Sequence, residues 1–345
     1  MNALNPFYRA LEAPEKYAFP DTRKTIGHVC SYAPEEIVHA AGFHPMRIFP
    51  SKSRISLADT HVQAYCCSMV RGILDDRLAG RLDHLDGMVF PHTCDSMMRL
   101  SDIIRLNHGP DFFADVLLPV RLDSQSARSY MKDVLKGFKQ NLEKAFGLSI
   151  SDRDLRDSIH LFNRIRSLLS RLYDLKSRHP GMIRGKDLDT VVKAAMIMDR
   201  QTLAGDLAAL VLELEKKAPP AFTGKRLVLA GAACTLPEIH DLIEEAGGAV
   251  VADDLCTGQR WFDARVPEEM APMDGLVHRY QNRMICPAKH AGLNARGDQL
   301  KALAKRHKAQ GLLFILIKFC DPHGFDLPFL KTELDGAGIK SQVIE

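Results

Sequence analysis

Residues 87–100, GMVFPHTCDSMMRL, contain the transition from a buried strand to a helix on which the fold of this chain depends. The apolar run GMVF leads to Pro91, and Asp95 opens a segment with apolar residues at helical spacing. Cys94 lies between the two. A strand that passes directly into a helix is the repeating unit of parallel α/β sheets. The stretch therefore predicts an α/β fold with a thiol at the carboxyl end of a strand.

The same alternation extends in both directions along the chain. It predicts two flavodoxin-like lobes, each a doubly wound parallel sheet, joined by a helical connector. Four strands are expected in each lobe, at 25–30, 45–50, 85–90 and 113–120, and at 226–233, 249–258, 312–320 and 340–345. The predicted divisions are a polar, partly helical leader at 1–24, the first lobe at 25–125, the connector at 126–218 and the second lobe at 219–345.

Helix start and stop signals refine this division. In the first lobe, helices are expected at 33–43, from about 57 to 78, and at 95–106. Ser151 and Asp152 are N-cap candidates for a long connector helix, and Gly147 ends the helix before it. Pro219 and Pro220 mark the start of the second lobe.

Composition excludes several classes of protein. The chain has 345 residues, of which 46% are hydrophobic and 26% charged, as in ordinary globular proteins. Its net charge of +3 gives no argument for binding nucleic acid or a membrane surface. The apolar run at 311–317 is too short to cross a bilayer, and the first residues lack the apolar stretch of a signal peptide. We expect a cytoplasmic protein.

The eight cysteines are distributed unevenly. In a reducing compartment they should be free thiols or metal ligands. Five lie at the carboxyl ends of predicted strands: Cys30, Cys94, Cys234, Cys256 and Cys320. Parallel α/β sheets bind ligands outside the carboxyl ends of their strands, so these thiols are expected at a cleft between the lobes.

Thiols at a cleft allow more than one chemistry. Sets of thiolates suit zinc or iron–sulfur clusters. Structural zinc usually takes cysteines in close pairs, whereas these are tens of residues apart, which weakens the zinc interpretation. A nucleophilic cysteine would need a base, and His28 precedes Cys30 by two residues just as His92 precedes Cys94.

Four motifs together resemble a known family. They are IGHVCSYAPEEIVHAAGFHPMRI (26–48), HTCDSMMRL (92–100), DDLCTG (253–258) and KFCDP (318–322). The chain resembles the 2-hydroxyacyl-CoA dehydratase component D proteins and the cluster-bearing subunits of benzoyl-CoA reductase, most closely their smaller subunits. The resemblance runs from about residue 25 to the C-terminus.

The resemblance implies a mechanism and its partners. A [4Fe–4S] cluster held by three cysteines would lie in the cleft, with one iron open or weakly ligated. Two related subunits would form a dimer, and a separate ATP-hydrolysing iron–sulfur activator would supply single electrons at very low potential. In the dehydratases the electron converts a CoA thioester to a ketyl radical that expels hydroxide, and in the reductases electrons enter an aromatic ring.

The resemblance also implies the ligands. By their positions in the matching motifs, the cluster ligands would be Cys67, Cys94 and Cys320. Cys30 is the next candidate ligand. Cys256 is at a family position as well. Cys66, Cys234 and Cys286 are expected to pack. No catalytic residue can be assigned from the motifs.

Four other residues are predicted to have structural roles or to line a pocket. Glu35 and Glu36 are expected to favour a first helical turn, and Arg47 to be solvated at a strand edge. Trp261, the single tryptophan, fits a pocket wall or the core equally well.

Two other functions stay open. A related type of protein carries a bridged double cubane and reduces small molecules; it would need about six cysteine ligands, and the chain has eight. Alternatively, the chain is a non-catalytic electron-transfer subunit whose cluster passes electrons to a partner.

Overall fold

The first sheet forms near the start of the chain. A computed structural model describes residues 2–14, 23–51, 53–292 and 294–345. Four parallel strands lie in the order β2-β1-β3-β4, and they are β1 (Thr25–His28), β2 (His44–Arg47), β3 (Gly87–Pro91) and β4 (Phe112–Val116). The three helices that alternate with these strands are α2 (Glu35–Ala40), α3 (Ser68–Leu78) and α4 (Asp95–His108), and α1 (Asn5–Glu12) precedes the sheet.

Four consecutive helices follow the first sheet. They are α5 (Gln125–Phe146), α6 (Asp152–Arg178), α7 (Gly185–Ala195) and α8 (Arg200–Glu215). The Ser151 side chain accepts a hydrogen bond from the Asp154 backbone N–H, and the Asp154 carboxylate accepts one from the Ser151 backbone N–H. The predicted cap is therefore confirmed as a capping box. Gly147 ends α5 in the left-handed region at φ 64°, a conformation in which glycine carries no Cβ penalty.

The second sheet repeats the strand arrangement of the first. Its parallel strands lie in the order β6-β5-β7-β8, and they are β5 (Lys225–Gly231), β6 (Gly248–Asp254), β7 (Gly311–Ile315) and β8 (Lys340–Ile344). The helices of this part are α9 (Glu238–Glu245), α10 (Gln259–Phe262), α11 (Pro272–Asn282), α12 (Ala295–Arg306) and α13 (Asp321–Gly336). The two sheets confirm the α/β prediction, while the division into lobes and connector stays a prediction.

The helix expected from about 57 to 78 is interrupted. A short 3-10 helix covers Ala58–Thr60, and α3 begins only at Ser68. One carboxylate oxygen of Asp75 accepts hydrogen bonds from the backbone N–H groups of Ser56, Leu57 and Ala58 at 2.6–3.1 Å. These hydrogen bonds hold residues 56–58 against α3, and the helix begins only after Cys67.

The N-terminal leader packs against the rest of the chain. Phe7 and Ala10 of α1 are fully buried, and the Tyr8 hydroxyl donates a 2.5 Å hydrogen bond to Asp187 in α7. Residues 15–22 lie outside the described part of the leader. In the described residues, no helix is both long and apolar enough to cross a membrane.

A buried polar network joins the two halves of the chain. Glu35 lies at the start of α2, where its carboxylate accepts hydrogen bonds from Trp261 Nε1 at 2.8 Å and Arg200 at 3.1 Å. His28 Nε2 lies 2.8 Å from the same carboxylate, and Glu36 pairs with Arg166. Both glutamates are buried, so their role extends beyond the first helical turn. Trp261 is a core residue, 5% exposed.

Candidate metal centre at the cysteine cavity

Three of the predicted cluster ligands occupy equivalent positions in three helices. Cys67 is the N-cap residue of α3, Cys94 of α4 and Cys320 of α13. The N-terminus of a helix carries unpaired N–H groups and the positive end of the dipole, so it favours negative charge. Ser, Thr, Asp and Asn are the usual residues at this position, and three cysteines there are therefore unusual.

The three thiols line one cavity of about 580 Å³. Its walls come from the first turns of α4 and α13 and from residues 285–292 between α11 and α12. Sites for small molecules have volumes of about 300–1,000 Å³, so this cavity is large enough to admit one. The apolar lining includes Phe319, Phe325 and Phe329, and the charged lining includes Asp95, Lys289, Arg296, Asp321 and Asp326.

The environment of these thiols keeps them protonated when no metal is bound. Burial raises the pKa of Cys94 to about 12, and the neighbouring sulfurs of Cys67, Cys30 and Cys320 add to the shift. Burial likewise raises the pKa of Cys320 to about 12 and that of Cys67 above its usual value. In each case a backbone N–H group opposes the shift by stabilising the thiolate. The group belongs to Met97 for Cys94, to His323 for Cys320 and to Val70 for Cys67. Metal ligation would therefore displace protons.

The spacing of the three sulfurs does not match a single zinc ion. Around one zinc ion, Zn–S bonds of about 2.3 Å place tetrahedral sulfurs about 3.8 Å apart. In the described chain, Cys67, Cys94 and Cys320 do not form a group with all ligand atoms within 4.8 Å of one another. All three are free thiols, and cysteine thiolates are the ordinary ligands of iron–sulfur clusters. The residues present fit such a cluster.

A second set of thiols lies beside the first. Cys30 is outside the cavity lining, and its Sγ lies 3.6 Å from Thr93 Oγ1. Burial raises the pKa of Cys256, and the sulfurs of Cys286 and Cys30 raise it further. Cys286 and Cys256 also raise the pKa of Cys320. The structure thus brings six cysteines into one region, including Cys286, for which the sequence predicts only packing.

Buried cations accompany this second set. Arg260 and Arg47 lower the pKa of Cys256 against the effect of burial. Arg47 is only 5% exposed, so its predicted solvation at a strand edge is wrong. Its Nε and Nη1 atoms have no hydrogen-bond partner among the described residues. Lys289 is 2% exposed. These cations favour an anionic group among the cysteines.

The histidine–cysteine pairs that the sequence allows do not form. His28 Nδ1 lies 3.1 Å from the carbonyl oxygen of Cys30, and its Nε2 faces Glu35. His92 Nε2 lies 2.8 Å from Asp115. Neither imidazole is thus directed at its neighbouring thiol, which removes the geometry of a nucleophile and its base.

The loop at 285–292 is the part of the site that sequence reasoning missed. It contributes most of one cavity wall, including Lys289 and His290. The signal was the run CPAKH, chemistry-bearing residues in a segment without helical or strand periodicity. Phe319, directly before Cys320, has a φ of 63°, a strained conformation for a bulky residue.

Comparisons with known proteins agree with the geometry. The family model described as 2-hydroxyglutaryl-CoA dehydratase, D-component, matches residues 30–345. The chain is 30% identical to the (R)-phenyllactyl-CoA dehydratase beta subunit of Clostridium sporogenes, over 99% of this chain and 92% of the relative. It is 28% identical to one of the benzoyl-CoA reductase subunits of Thauera aromatica, over 90% and 82%. It is 26% identical to the (R)-2-hydroxyglutaryl-CoA dehydratase beta subunit of Acidaminococcus fermentans, over 91% and 84%.

Proposed function

Because the chain belongs to the 2-hydroxyglutaryl-CoA dehydratase D-component family, we propose that it is the iron–sulfur subunit of an ATP-activated radical enzyme acting on CoA thioesters. The enzyme would be a 2-hydroxyacyl-CoA dehydratase or a benzoyl-CoA reductase, as the names of the relatives suggest. The convergence of three N-cap cysteines on one cavity carries this proposal.

Cys67, Cys94 and Cys320 would hold a [4Fe–4S] cluster. When bound, it would supply single electrons to an acyl-CoA, and three protein ligands leave one iron accessible. Helix starts and aromatic side chains of this chain would surround the cluster. The starts of α3, α4 and α13 stabilise negative charge at the sulfurs, and Phe319 and Phe329 restrict water at the cavity. Cys30 would be the next ligand.

The division of the chain into lobes is part of the proposal. We regard residues 25–125 and 219–345 as flavodoxin-like lobes and residues 126–218 as their helical connector. Ligands would then come from both lobes, because Cys67 and Cys94 follow strands of the first sheet and Cys320 follows β7. Motion between the lobes would change access to the cavity.

The proposal includes partners. A related cluster-bearing subunit would form the dimer, an ATP-hydrolysing iron–sulfur activator would deliver electrons, and the protein would be cytoplasmic. Phe325 lines the cavity and is 84% exposed, and Phe319 is 45% exposed. Exposed aromatic side chains at the mouth of a cavity suit a surface that is covered by a second subunit.

The second set of cysteines supports one alternative. Cys30, Cys256 and Cys286 would double the number of thiol ligands and permit a bridged double cubane in a reductase of small molecules. The buried Arg47 and Arg260 would balance the added negative charge. The variant Cys286→Ala distinguishes the single cluster from the double cubane. With a single cluster the variant should keep the iron content of the wild type, and with a double cubane its iron content should fall.

Turnover tests the proposed function. The chain is purified without oxygen together with its sibling subunit, then mixed with the activator, ATP and a low-potential reductant. Phenyllactyl-CoA, 2-hydroxyglutaryl-CoA and benzoyl-CoA are offered in turn. We expect conversion of one thioester, lost with Cys94→Ala and kept with Cys66→Ala. A loaded, reducible cluster without any conversion would contradict the proposal and favour an electron-transfer subunit or the double cubane.

A further inference from the structure

A second group of metal-ligating side chains lies apart from the cluster cysteines. Asp189 belongs to α7, Cys234 follows β5, and His240 belongs to α9. Their ligand atoms all lie within 4.8 Å of one another, and no other group of the described residues meets this spacing. The three residues are 7%, 2% and 6% exposed. Three residues from separate segments thus converge in the interior.

His240 points to a missing ligand in this group. Both of its ring nitrogens are buried without a hydrogen-bond partner in the described chain. A buried polar group left unpaired costs about 1–3 kcal/mol. Asp189 and His240 line a small enclosed cavity of about 20 Å³, enough for one small species, since about 10–15 Å³ holds a water. An ion there would satisfy the histidine.

The backbone is also shaped around this ring. Gly185, the first residue of α7, lies directly against His240, and a Cβ at that position would come within 2.5 Å of Nδ1. Only glycine allows this approach. The imidazole of this α9 residue is therefore packed directly against the first residue of α7.

The charges of the group are compatible with a divalent cation. The nitrogen donor is the His240 imidazole, whose two ring nitrogens have no hydrogen-bond partner in the described chain. The sulfur donor is Cys234, whose Sγ lies 3.5 Å from the Leu236 carbonyl oxygen, which accepts the S–H. One carboxylate oxygen of Asp189 accepts a hydrogen bond from Lys193 Nζ at 2.7 Å. The second oxygen can serve as a ligand.

We propose that Asp189, Cys234 and His240 form a structural Zn²⁺ site that is separate from the cysteine cavity. A sulfur, a nitrogen and a carboxylate oxygen are donor atoms that zinc takes in proteins. Binding replaces the Cys234 proton, which passes to solvent, and the thiolate and carboxylate balance the two charges of the ion. The site fastens α7 to the second sheet, so its expected role is stability rather than catalysis.

The test uses the full chain, purified without oxygen, with its iron–sulfur sites loaded. Zn²⁺ is added, excess is removed by gel filtration, and retained zinc is measured by mass spectrometry and X-ray absorption at the zinc edge. We expect about one zinc per chain with one sulfur at about 2.3 Å and nitrogen or oxygen at about 2.0–2.2 Å. Absence of retained zinc would overturn the site, as would a shell of three or more sulfurs, which would place the ion at the cluster cysteines.

Variants provide an independent readout. Cys234→Ser and His240→Gln should reduce retained zinc to background and abolish the rise in Tm that Zn²⁺ gives the wild type. His307→Gln is the matched control, since His307 is also buried and its Nδ1 lies 2.8 Å from Ser177 Oγ. Undiminished zinc in His240→Gln would overturn the assignment. If a variant fails to fold, the sulfur count of the wild-type spectrum decides.

Discussion

At the scale of single residues, the cluster cysteines are distinguished by their places in helices. Cys66 and Cys67 are adjacent, but only Cys67 is an N-cap residue and lines the cavity. Its thiolate is stabilised by the N–H groups of Val70 and Met69, against a pKa raised by burial. The helix start therefore selects one sulfur of the pair for ligation.

The adjacent pair provides a direct test of this selection. Cys67→Ala should leave a folded protein that has lost most of its iron, because a ligand from the cavity wall is gone. Cys66→Ala should keep the iron content of the wild type. Iron is measured per chain after anaerobic purification, with circular dichroism as the check on folding. The reverse pattern, or equal loss in both variants, would contradict the ligand assignment.

At the scale of elements, the start of α3 depends on one aspartate. Burial raises the pKa of Asp75, but hydrogen bonds from the backbone N–H groups of Ser56, Ala58 and Leu57 outweigh it, and the net pKa is lowered. Asp75 also pairs with Arg81 at 3.0 Å. The carboxylate thus fixes the segment that leads into Cys67.

Asp75→Ala should lower the free energy of unfolding by about 2 kcal/mol, because three backbone N–H groups lose their acceptor and that of Ala58 is buried. It should also reduce iron incorporation. Asp83→Ala is the matched control, since Asp83 is 69% exposed and pairs with Arg77, and surface pairs contribute about 0–1 kcal/mol. Urea titrations of both variants measure the difference. Equal effects would show that Asp75 does not position this segment.

A buried histidine in β2 should make the stability of the fold depend on pH. Burial lowers the pKa of His44 to about 3, and Arg200 lowers it as well, while Ile197 accepts a hydrogen bond from Nε2 at 2.9 Å. The unfolded chain binds this proton below about pH 6.5 and the folded chain only near pH 3. Stability should therefore fall as the pH decreases through this interval.

His44→Gln should reduce this dependence by about 2 kcal/mol between pH 7 and pH 5, since each pKa unit corresponds to about 1.36 kcal/mol. The free energy of unfolding is measured at both pH values for the wild type and the variant. His61→Gln, at an exposed histidine, should leave the dependence unchanged. A wild-type slope retained in His44→Gln would refute the assignment.

At the scale of the whole molecule, the buried network around Glu35 connects α2 of the first sheet with Trp261 after β6 and Arg200 of α8. Burial raises the pKa of Glu35, but His28, Arg200 and Trp261 together hold it well below its usual value. Removing one partner of a buried charged network is expensive, about 3–5 kcal/mol. This network fixes the two sheets, and hence Cys94 and Cys320, relative to each other.

Much of the fold could be predicted from the sequence because strand and helix periods alternate clearly. The eight strands, the long helices and the cap at Ser151 follow from local signals. The break before α3 could not, because it depends on Asp75, well beyond the segment that it holds. The grouping of Cys286 with the predicted ligands, and of Asp189 with Cys234 and His240, needs tertiary contacts that no local pattern encodes.

The most direct test of the central claim is the iron and acid-labile sulfide content of the wild-type chain, purified without oxygen and examined by EPR after reduction. We expect about four irons and four sulfides per chain, with a signal from a reducible [4Fe–4S] cluster. About eight irons would instead support the double cubane. A chain that binds no iron after reconstitution would contradict the claim that the cysteine cavity is a cluster site.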